Sequence, residues 1–238
     1  MFLTLDIGNT SAKYGLFSGT NLLETGVVSS PGELRKLAEQ KAAKAIFAAS
    51  VAEDPEKYRQ ALPSEVSFRV LNAQTPVPVK LGYDTPLTLG ADRLAAVVGA
   101  HYLFPGSDVL VIDAGTCVTT DFLGTDGTYR GGSISPGIDM RFRALHTFTA
   151  RLPLVQKQKE AHLTGTGTEA SIRSGVQNGA IAELAGFVQQ YRRQYPDLVV
   201  VLCGGDSHFF DTKIDKPIFA VPELVHVGLA RIFTTLDV

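Results

Sequence analysis

The sequence has few of the residues that define several large classes of protein. Its 238 residues include no tryptophan and only two cysteines, Cys117 and Cys203, which lie far apart in apolar, strand-like runs. We interpret both as small buried hydrophobic residues rather than as a disulfide or redox pair. No cysteine and histidine cluster has the spacing of zinc ligands, and the five scattered histidines are interpreted as structural.

Clustered positive charge and long apolar runs are also absent. The formal net charge is −2, and there is no basic run of the kind that binds nucleic acid or an anionic membrane. No apolar run approaches the roughly 20 residues that a membrane-spanning helix needs, and Asp6 interrupts the first one. With 45% hydrophobic and 19% charged residues, the sequence predicts a well-packed cytoplasmic protein that binds neither nucleic acid nor membrane.

The two halves of the chain show the same order of predicted elements. An apolar strand ends at an acidic glycine turn, Asp6–Thr10 in the first half and Asp113–Thr116 in the second. A strand, a hairpin, a further strand and a helix follow each turn. The agreement in order, turn chemistry and spacing indicates an internal duplication. We therefore predict two similar α/β lobes, residues 1–105 and 106–238, with a cleft between them.

Other patterns predict the elements around these turns. Strands are expected at 45–49, 66–71 and 198–203, and helices from about Gly90, at 168–195 and at 224–233. The proline-rich segment 74–89 is predicted to be an ordered loop or linker rather than a helix or a central strand.

Each acidic turn carries groups suited to nucleotide phosphates. Glycine permits close backbone approach, and exposed N–H groups with the hydroxyls of Thr10, Ser11 and Thr116 can donate to phosphate oxygens. Because a carboxylate repels phosphate, its partner would be a bridging cation, and Lys13 adds a positive charge. The same residues are also common in ordinary turns, but two copies in matched context favour the phosphate interpretation. Neither a P-loop nor a dinucleotide glycine motif is present.

Two charged residues between the turns are candidates for the chemistry. Asp92, just after Gly90, can accept a proton from an alcohol that attacks a phosphate, or it can simply stabilise a helix N-terminus. Arg93 can bind an anionic substrate, or it can form a surface ion pair. The glycine-rich segments Gly131–Gly137 and Gly204–Asp206 can line a ligand site, the second against adenine, or form plain turns.

Several motifs follow one another along the whole chain. They are Asp6-Ile7-Gly8-Asn9-Thr10, Gly82-Tyr83, Gly90-Ala91-Asp92-Arg93, Asp113-Ala114-Gly115-Thr116, Gly131-Gly132-Ser133-Ile134-Ser135-Pro136-Gly137, Thr149-Ala150-Arg151-Leu152-Pro153, Thr168-Glu169 with Ser174-Gly175, and Gly204-Gly205-Asp206. In this order they resemble the type III pantothenate kinases, a branch of the superfamily of acetate and sugar kinases, actin and heat-shock chaperone ATPases.

The resemblance implies a fold, an activity and cofactors. The fold would be α/β, a duplicated actin-like (ribonuclease H-like) arrangement of two lobes with mixed sheets and an interlobe cleft. The activity would be ATP-dependent phosphorylation of pantothenate to 4′-phosphopantothenate, the first step of coenzyme A biosynthesis. Magnesium and a monovalent cation, potassium or ammonium, would serve as cofactors, and the enzyme would be a homodimer.

The resemblance also implies roles by position. Asp92 would be the general base, Asp6 would serve magnesium, Asp113 would bind the monovalent cation, and Thr116 would contact ATP. The residues implied to hold the ATP phosphates are Asp6, Ile7, Gly8, Asn9, Thr10, Ser11, Ala12 and Lys13. Those implied to bind pantothenate are Tyr83, Gly90, Ala91, Asp92, Arg93 and Thr168, with Thr168 approaching the partner's substrate site.

Two other functions fit the same motifs. One is a sugar or amino-sugar kinase of the same superfamily. The other is a non-catalytic regulatory accessory factor that keeps the fold without the base chemistry. The presence of Asp92 favours an enzyme.

Overall fold

The computed structural model describes residues 1–51 and 54–236. These residues form two sheets of mixed strand direction together with helices, which confirms the predicted α/β class. The described helices are all too short or too polar to cross a bilayer. Contacts group the chain into two units, one of Met1–Gly106, Leu123–Gly131 and Glu223–Val238, and one of Ser107–Phe122 and Gly132–Pro222.

The first unit begins with a five-stranded sheet and its helices. The elements are β1 Phe2–Ile7, β2 Ala12–Ser18, β3 Asn21–Val28, α1 Pro31–Gln40, β4 Ala45–Ser50, α2 Glu56–Ala61 and β5 Ser67–Val70. The strand order is β3-β2-β1-β4-β5, and β1 pairs antiparallel with β2 and parallel with β4. Central strands β1 and β4 are apolar along nearly their whole length, as expected for strands covered on both faces.

The proline-rich segment contains more regular structure than predicted. Lys80–Leu81 form a short strand, β6, and Pro86–Thr88 form a single 3-10 turn before helix α3, Ala91–Leu103. β6 is the edge strand of its sheet, so the prediction that this segment contains no central strand agrees with the structure, but the short edge strand itself was not predicted. Both β6 residues are exposed, so no alternation of apolar and polar side chains marks the strand in the sequence.

The second sheet has six strands. From residue 107 onward the elements are β7 Val109–Ala114, β8 Cys117–Leu123, β9 Thr128–Pro136, α4 Ile138–Thr147, α5 Thr168–Arg173, a π-helical turn Ser174–Asn178, α6 Gly179–Gln194, β10 Val199–Cys203, α7 Ser207–Phe210 and β11 Phe219–Ala220. The strand order is β11-β10-β7-β8-β9-β6. The long helix predicted at 168–195 has the expected extent, but the π-helical turn interrupts it.

The two sheets repeat one topology. Strands β1 to β5 have the order 3-2-1-4-5, and the corresponding strands of the second half, β7 to β11, have the same order with β6 added beyond β9. In each sheet the first strand pairs parallel with the fourth, and the acidic turn follows that first strand. This repeated order confirms the predicted duplicated fold.

The last helix, α8 Leu224–Leu236, packs against α3 in the first unit. Two glycines permit close approach: a Cβ atom at Gly228 would lie 1.7 Å from the carbonyl oxygen of Ala95, and one at Gly99 would lie 2.5 Å from that of Leu224. On the same helix, buried His226 is joined to the Thr4 hydroxyl in β1, with 2.8 Å between Nδ1 and Oγ1. The contacts thus group residues 223–238 with the first unit, whereas the proposed boundary at 105/106 assigns them to the second lobe.

Candidate active site

The first acidic turn connects two antiparallel strands. Asp6, near the end of β1, pairs with Lys13 at the start of β2. The four residues between the strands are closed by a hydrogen bond from the Gly8 N–H to the Ser11 carbonyl, at 3.1 Å. Asn9 and Thr10 at the tip are exposed, so the tip of the turn is accessible to a ligand.

Asp6 lies in a strongly perturbed electrostatic environment. Burial and, to a lesser extent, the negative charge of Asp92 raise the pKa of its carboxyl from 3.8 to about 6, and the positive charge of Lys13 opposes both effects. The action of Asp92 on Asp6 means that the candidate base and the candidate magnesium ligand lie near each other within the first unit. A cation bound between these carboxylates would relieve their repulsion.

Asp92 lies in the first turn of α3. The helix is capped by Gly90, which supplies no side-chain bond, and the Asp92 Oδ1 atom instead accepts the Arg93 N–H at 2.7 Å. Asp92 therefore performs the helix-terminal role that the sequence left open.

Arg93 and Tyr83 form a packed group in the same unit. Only 7% of Arg93 is exposed, so its side chain is buried rather than on the surface, and its guanidinium carbon lies 5.8 Å from the centre of the Tyr83 ring. The Tyr83 ring stacks on Tyr129, with 5.8 Å between centroids. Gly131, at φ +86°, leaves room for this ring, because a Cβ atom there would lie 3.2 Å from it.

The second acidic turn is enclosed by backbone from two other segments of the second unit. Two residues connect β7 to β8, and the Gly115 N–H donates to the Cys117 carbonyl at 2.9 Å. The Gly137 N–H donates to the Thr116 carbonyl at 3.0 Å. Gly204, at φ +89°, packs so closely that a Cβ atom there would lie 2.3 Å from Oδ1 of Asp113. Both glycine-rich segments therefore contact this turn directly.

The oxygen atoms at the two acidic turns suit hard cations that are held partly by the protein and partly by a bound substrate. Among the described residues, no group of three or more His, Cys, Asp or Glu side chains is arranged to hold a metal. Magnesium in phosphotransferases is typically held by one or two carboxylates together with phosphate oxygens and water, a set that Asp6 and Asp92 suit. Half-buried Asp113, with backbone and hydroxyl oxygens in the adjoining turn, offers the oxygen ligands that a monovalent cation accepts.

The predicted site residues fall into the two units. The first unit contains the segment 6–13, Tyr83 and the segment 90–93, and the second contains Asp113, Thr116 and Thr168. Thr168 is the exposed first residue of α5. Two groups in contact with these residues were not identified from the sequence as functional side chains: Tyr129 behind Tyr83, and Arg141 behind Gly137. No motif or spacing marks either one.

The repeated strand order and the two acidic turns define an α/β protein of the duplicated actin-like class. Solved structures support this fold. A "conserved putative Baf family transcriptional activator" from Campylobacter jejuni superposes with a TM-score of 0.63 at 22% identity over 99% of both chains. A "putative 2-dehydro-3-deoxygalactonokinase" from Sinorhizobium meliloti gives a TM-score of 0.60 at 14% identity, again over 99% of both chains.

Sequence comparison identifies the branch of this class. The family model of type III pantothenate kinase matches residues 2–190. The type III pantothenate kinase from Phocaeicola vulgatus is 46% identical to this chain, over 100% of this chain and 99% of its own length. The type III pantothenate kinase from Cytophaga hutchinsonii is 41% identical, over 98% of both chains. The chain belongs to the type III pantothenate kinase family.

Proposed function

We propose that this enzyme transfers the γ-phosphoryl group of ATP to the primary hydroxyl of pantothenate, giving 4′-phosphopantothenate and ADP, the first step of coenzyme A biosynthesis. Family membership over nearly the full chain supports the substrate. The observation that carries the proposal is that the charge of Asp92 raises the pKa of Asp6, which supports a common site for a candidate base and a candidate cation ligand. The cytoplasm is the proposed location.

The first turn would hold the phosphates of ATP. In this assignment the backbone at the exposed tip of segment 6–13 and the hydroxyls of Thr10 and Ser11 donate to phosphate oxygens, and Lys13 adds a positive charge. Asp6 would hold magnesium, which screens the phosphate charge when bound. The raised pKa of Asp6 supports this role, because a cation replaces the proton that the crowded carboxylate otherwise attracts.

Asp92 would act as the general base. Its carboxylate accepts the proton of the pantothenate hydroxyl while that oxygen forms a bond to the γ-phosphorus, and the bond from phosphorus to the ADP oxygen breaks. The Arg93 N–H, 2.7 Å from Oδ1, keeps the carboxylate oriented during the step. Buried Arg93, held over Tyr83, supplies positive charge for the carboxylate of pantothenate.

The second turn would bind a monovalent cation and part of ATP. Asp113 is assigned to potassium or ammonium, and Thr116 is assigned to ATP. The close packing of Gly137 and Gly204 on this turn supports a rigid oxygen-lined site.

Pantothenate would lie against Tyr83, Gly90, Ala91, Asp92 and Arg93, with Thr168 contributed toward the substrate site of a partner subunit in a homodimer. Exposed apolar side chains in the part of the chain before Thr168 support self-association: Phe148 and Leu163 are each 85% exposed, and Leu154 is 55% exposed.

A coupled assay of ADP release tests the proposal. Purified protein with magnesium and ATP should turn over pantothenate, should turn it over faster when potassium or ammonium is added, and should not turn over hexoses or amino sugars. Turnover of a sugar alone would contradict the substrate, and absence of all turnover with bound ATP would indicate a non-catalytic relative.

A further inference from the structure

Arg141 forms a compact set of side-chain contacts outside the residues assigned to ligands. From the first turns of α4, its Nε atom donates to the Pro136 carbonyl at 2.8 Å. Its Nη2 atom donates to Glu183 Oε2 on α6 at 2.7 Å and reaches Ser135 Oγ at 3.4 Å. The Arg141 side chain is 22% exposed and that of Glu183 is 30% exposed. A planar guanidinium paired in this way holds its acceptors in fixed directions.

The backbone held by Arg141 lies directly against the second acidic turn. The Gly137 N–H donates to the Thr116 carbonyl at 3.0 Å. A Cβ atom at Gly137 would lie 2.2 Å from the Gly115 carbonyl oxygen and 2.5 Å from that of Thr116. Because there is no space between the two backbones, a shift of Pro136–Gly137 has to be accompanied by a shift of the turn.

We propose that Arg141 is a positioning residue for the nucleotide and monovalent-cation site. With Glu183 it fixes Pro136–Gly137 against Gly115–Thr116, and through this contact it sets the affinity of the second turn for both ligands. The inference rests on the proposed function, which assigns Asp113 to the cation and Thr116 to ATP. Pantothenate, assigned to Tyr83, residues 90–93 and Thr168, is outside this chain of contacts.

A purely structural role gives a different expectation. If Arg141 only tied α4 to α6, its removal would lower the melting temperature and leave the ligand constants unchanged. The pair is partly exposed, so the fold is expected to survive its loss. The ligand constants, rather than the stability, therefore separate the two roles.

The test compares Arg141→Gln, Arg141→Lys and Glu183→Gln with the control Arg143→Gln, an exposed arginine on the same helix. Calorimetry with a non-hydrolysable ATP analogue and magnesium gives the nucleotide Kd, thermal shift against potassium concentration gives the cation affinity, and the coupled assay gives KM for pantothenate. For Arg141→Gln we expect both affinities to fall about tenfold while KM for pantothenate stays within about twofold. Arg141→Lys keeps the charge but not the paired donors, so its affinities for the nucleotide and for potassium should each fall about threefold.

Equal nucleotide and potassium affinities in Arg141→Gln and Arg143→Gln would overturn the proposal, whatever their melting temperatures. If Arg141→Gln does not fold, unchanged constants in both Arg141→Lys and Glu183→Gln would overturn it equally. Failure of the proposed function shows itself separately, as wild-type protein that neither phosphorylates pantothenate nor responds to potassium. Nucleotide binding by calorimetry would still report on Arg141 in that case.

Discussion

The two acidic turns occupy the same position in sheets of the same strand order, yet they differ in length and surroundings. Four residues separate β1 from β2, whereas two separate β7 from β8. The first turn has an exposed tip and lies near two charged groups, Asp92 and Lys13. The second is closed in by the backbones of Gly137 and Gly204. Duplication has thus kept an aspartate at the strand end while its environment diverged, and four predictions test that difference.

The largest effect is expected at the first turn's neighbour, Asp92. Replacing it by Asn removes the proton acceptor, so kcat should fall about 10³-fold, while calorimetry should give an unchanged Kd for a non-hydrolysable ATP analogue. Exposed Asp197→Asn is the matched control and should behave as wild type. Near-normal turnover of Asp92→Asn would reject this residue as the base.

The same glycine substitution should have different costs in the two regions. Gly137→Ala forces a Cβ atom to within 2.2 Å of the Gly115 carbonyl, so the free energy of unfolding should drop by about 3 kcal/mol. Gly8→Ala meets nothing closer than 3.4 Å and should leave stability nearly unchanged. Gly186→Ala, with open space within α6, should be neutral or gain up to about 1 kcal/mol. Equal urea midpoints for the three variants would contradict the packing difference.

The first unit should also show two opposed pH responses, from His226 on α8 and Asp6 on β1. Burial, with a smaller effect of Lys13, lowers the pKa of His226 from 6.5 to about 4. Between these two pH values the histidine is protonated in the unfolded chain but not in the folded protein. The free energy of unfolding therefore falls by about 3 kcal/mol as pH drops from 6.5 to 4. The pKa of Asp6 is raised from 3.8 to about 6, so the folded state gains the proton first and stability rises by about 3 kcal/mol as pH drops from 6 to 3.8.

These two contributions nearly cancel in the wild type, and single variants expose them. Urea unfolding in EDTA at several pH values between 7 and 4 should show that His226→Gln gains stability relative to wild type as pH falls, and that Asp6→Asn loses it. Exposed His162→Gln serves as the control. Parallel pH profiles for all four proteins would show that the two groups do not titrate as described.

The smallest effect is expected for variants that distinguish the potassium site from the magnesium site. Asp113→Asn should raise the potassium concentration for half-maximal activity about tenfold, which corresponds to about 1.4 kcal/mol. Asp6→Asn should instead raise the magnesium requirement and leave the potassium requirement unchanged. The measurement is a potassium titration at saturating magnesium, and the converse titration. Identical responses of the two variants would mean that the turns share one cation function.

Much of the fold was predictable because it rests on local patterns. The buried strands are apolar runs ended by acidic glycine turns, and two matched copies of that pattern indicate a duplication without reference to any structure. The π-helical turn at Ser174–Asn178 and strand β6 were not predictable in the same way. Both are defined by backbone hydrogen bonds, and at five and two residues both are too short to leave a recognisable side-chain pattern in the sequence.

The candidate site was predictable only where one motif carries its own chemistry. The aspartates could be identified because carboxylate, glycine and hydroxyl groups stand within a few residues of each other. The packing of Tyr129 on Tyr83, and the bond of Arg141 to Glu183, join residues more than 40 positions apart. Such contacts depend on which strands and helices become neighbours, and a single sequence contains no signal for that.

Strand β6 has a consequence for the order in which the protein opens. Backbone hydrogen bonds attach it alongside β9, from the Lys80 N–H to the Gly127 carbonyl at 2.9 Å and from the Gly82 N–H to the Tyr129 carbonyl at 2.8 Å. An exposed edge strand of this length detaches at little free-energy cost compared with a central strand such as β7. Tyr83 therefore belongs to the segment whose amide hydrogens should exchange with solvent long before those of the sheet's centre.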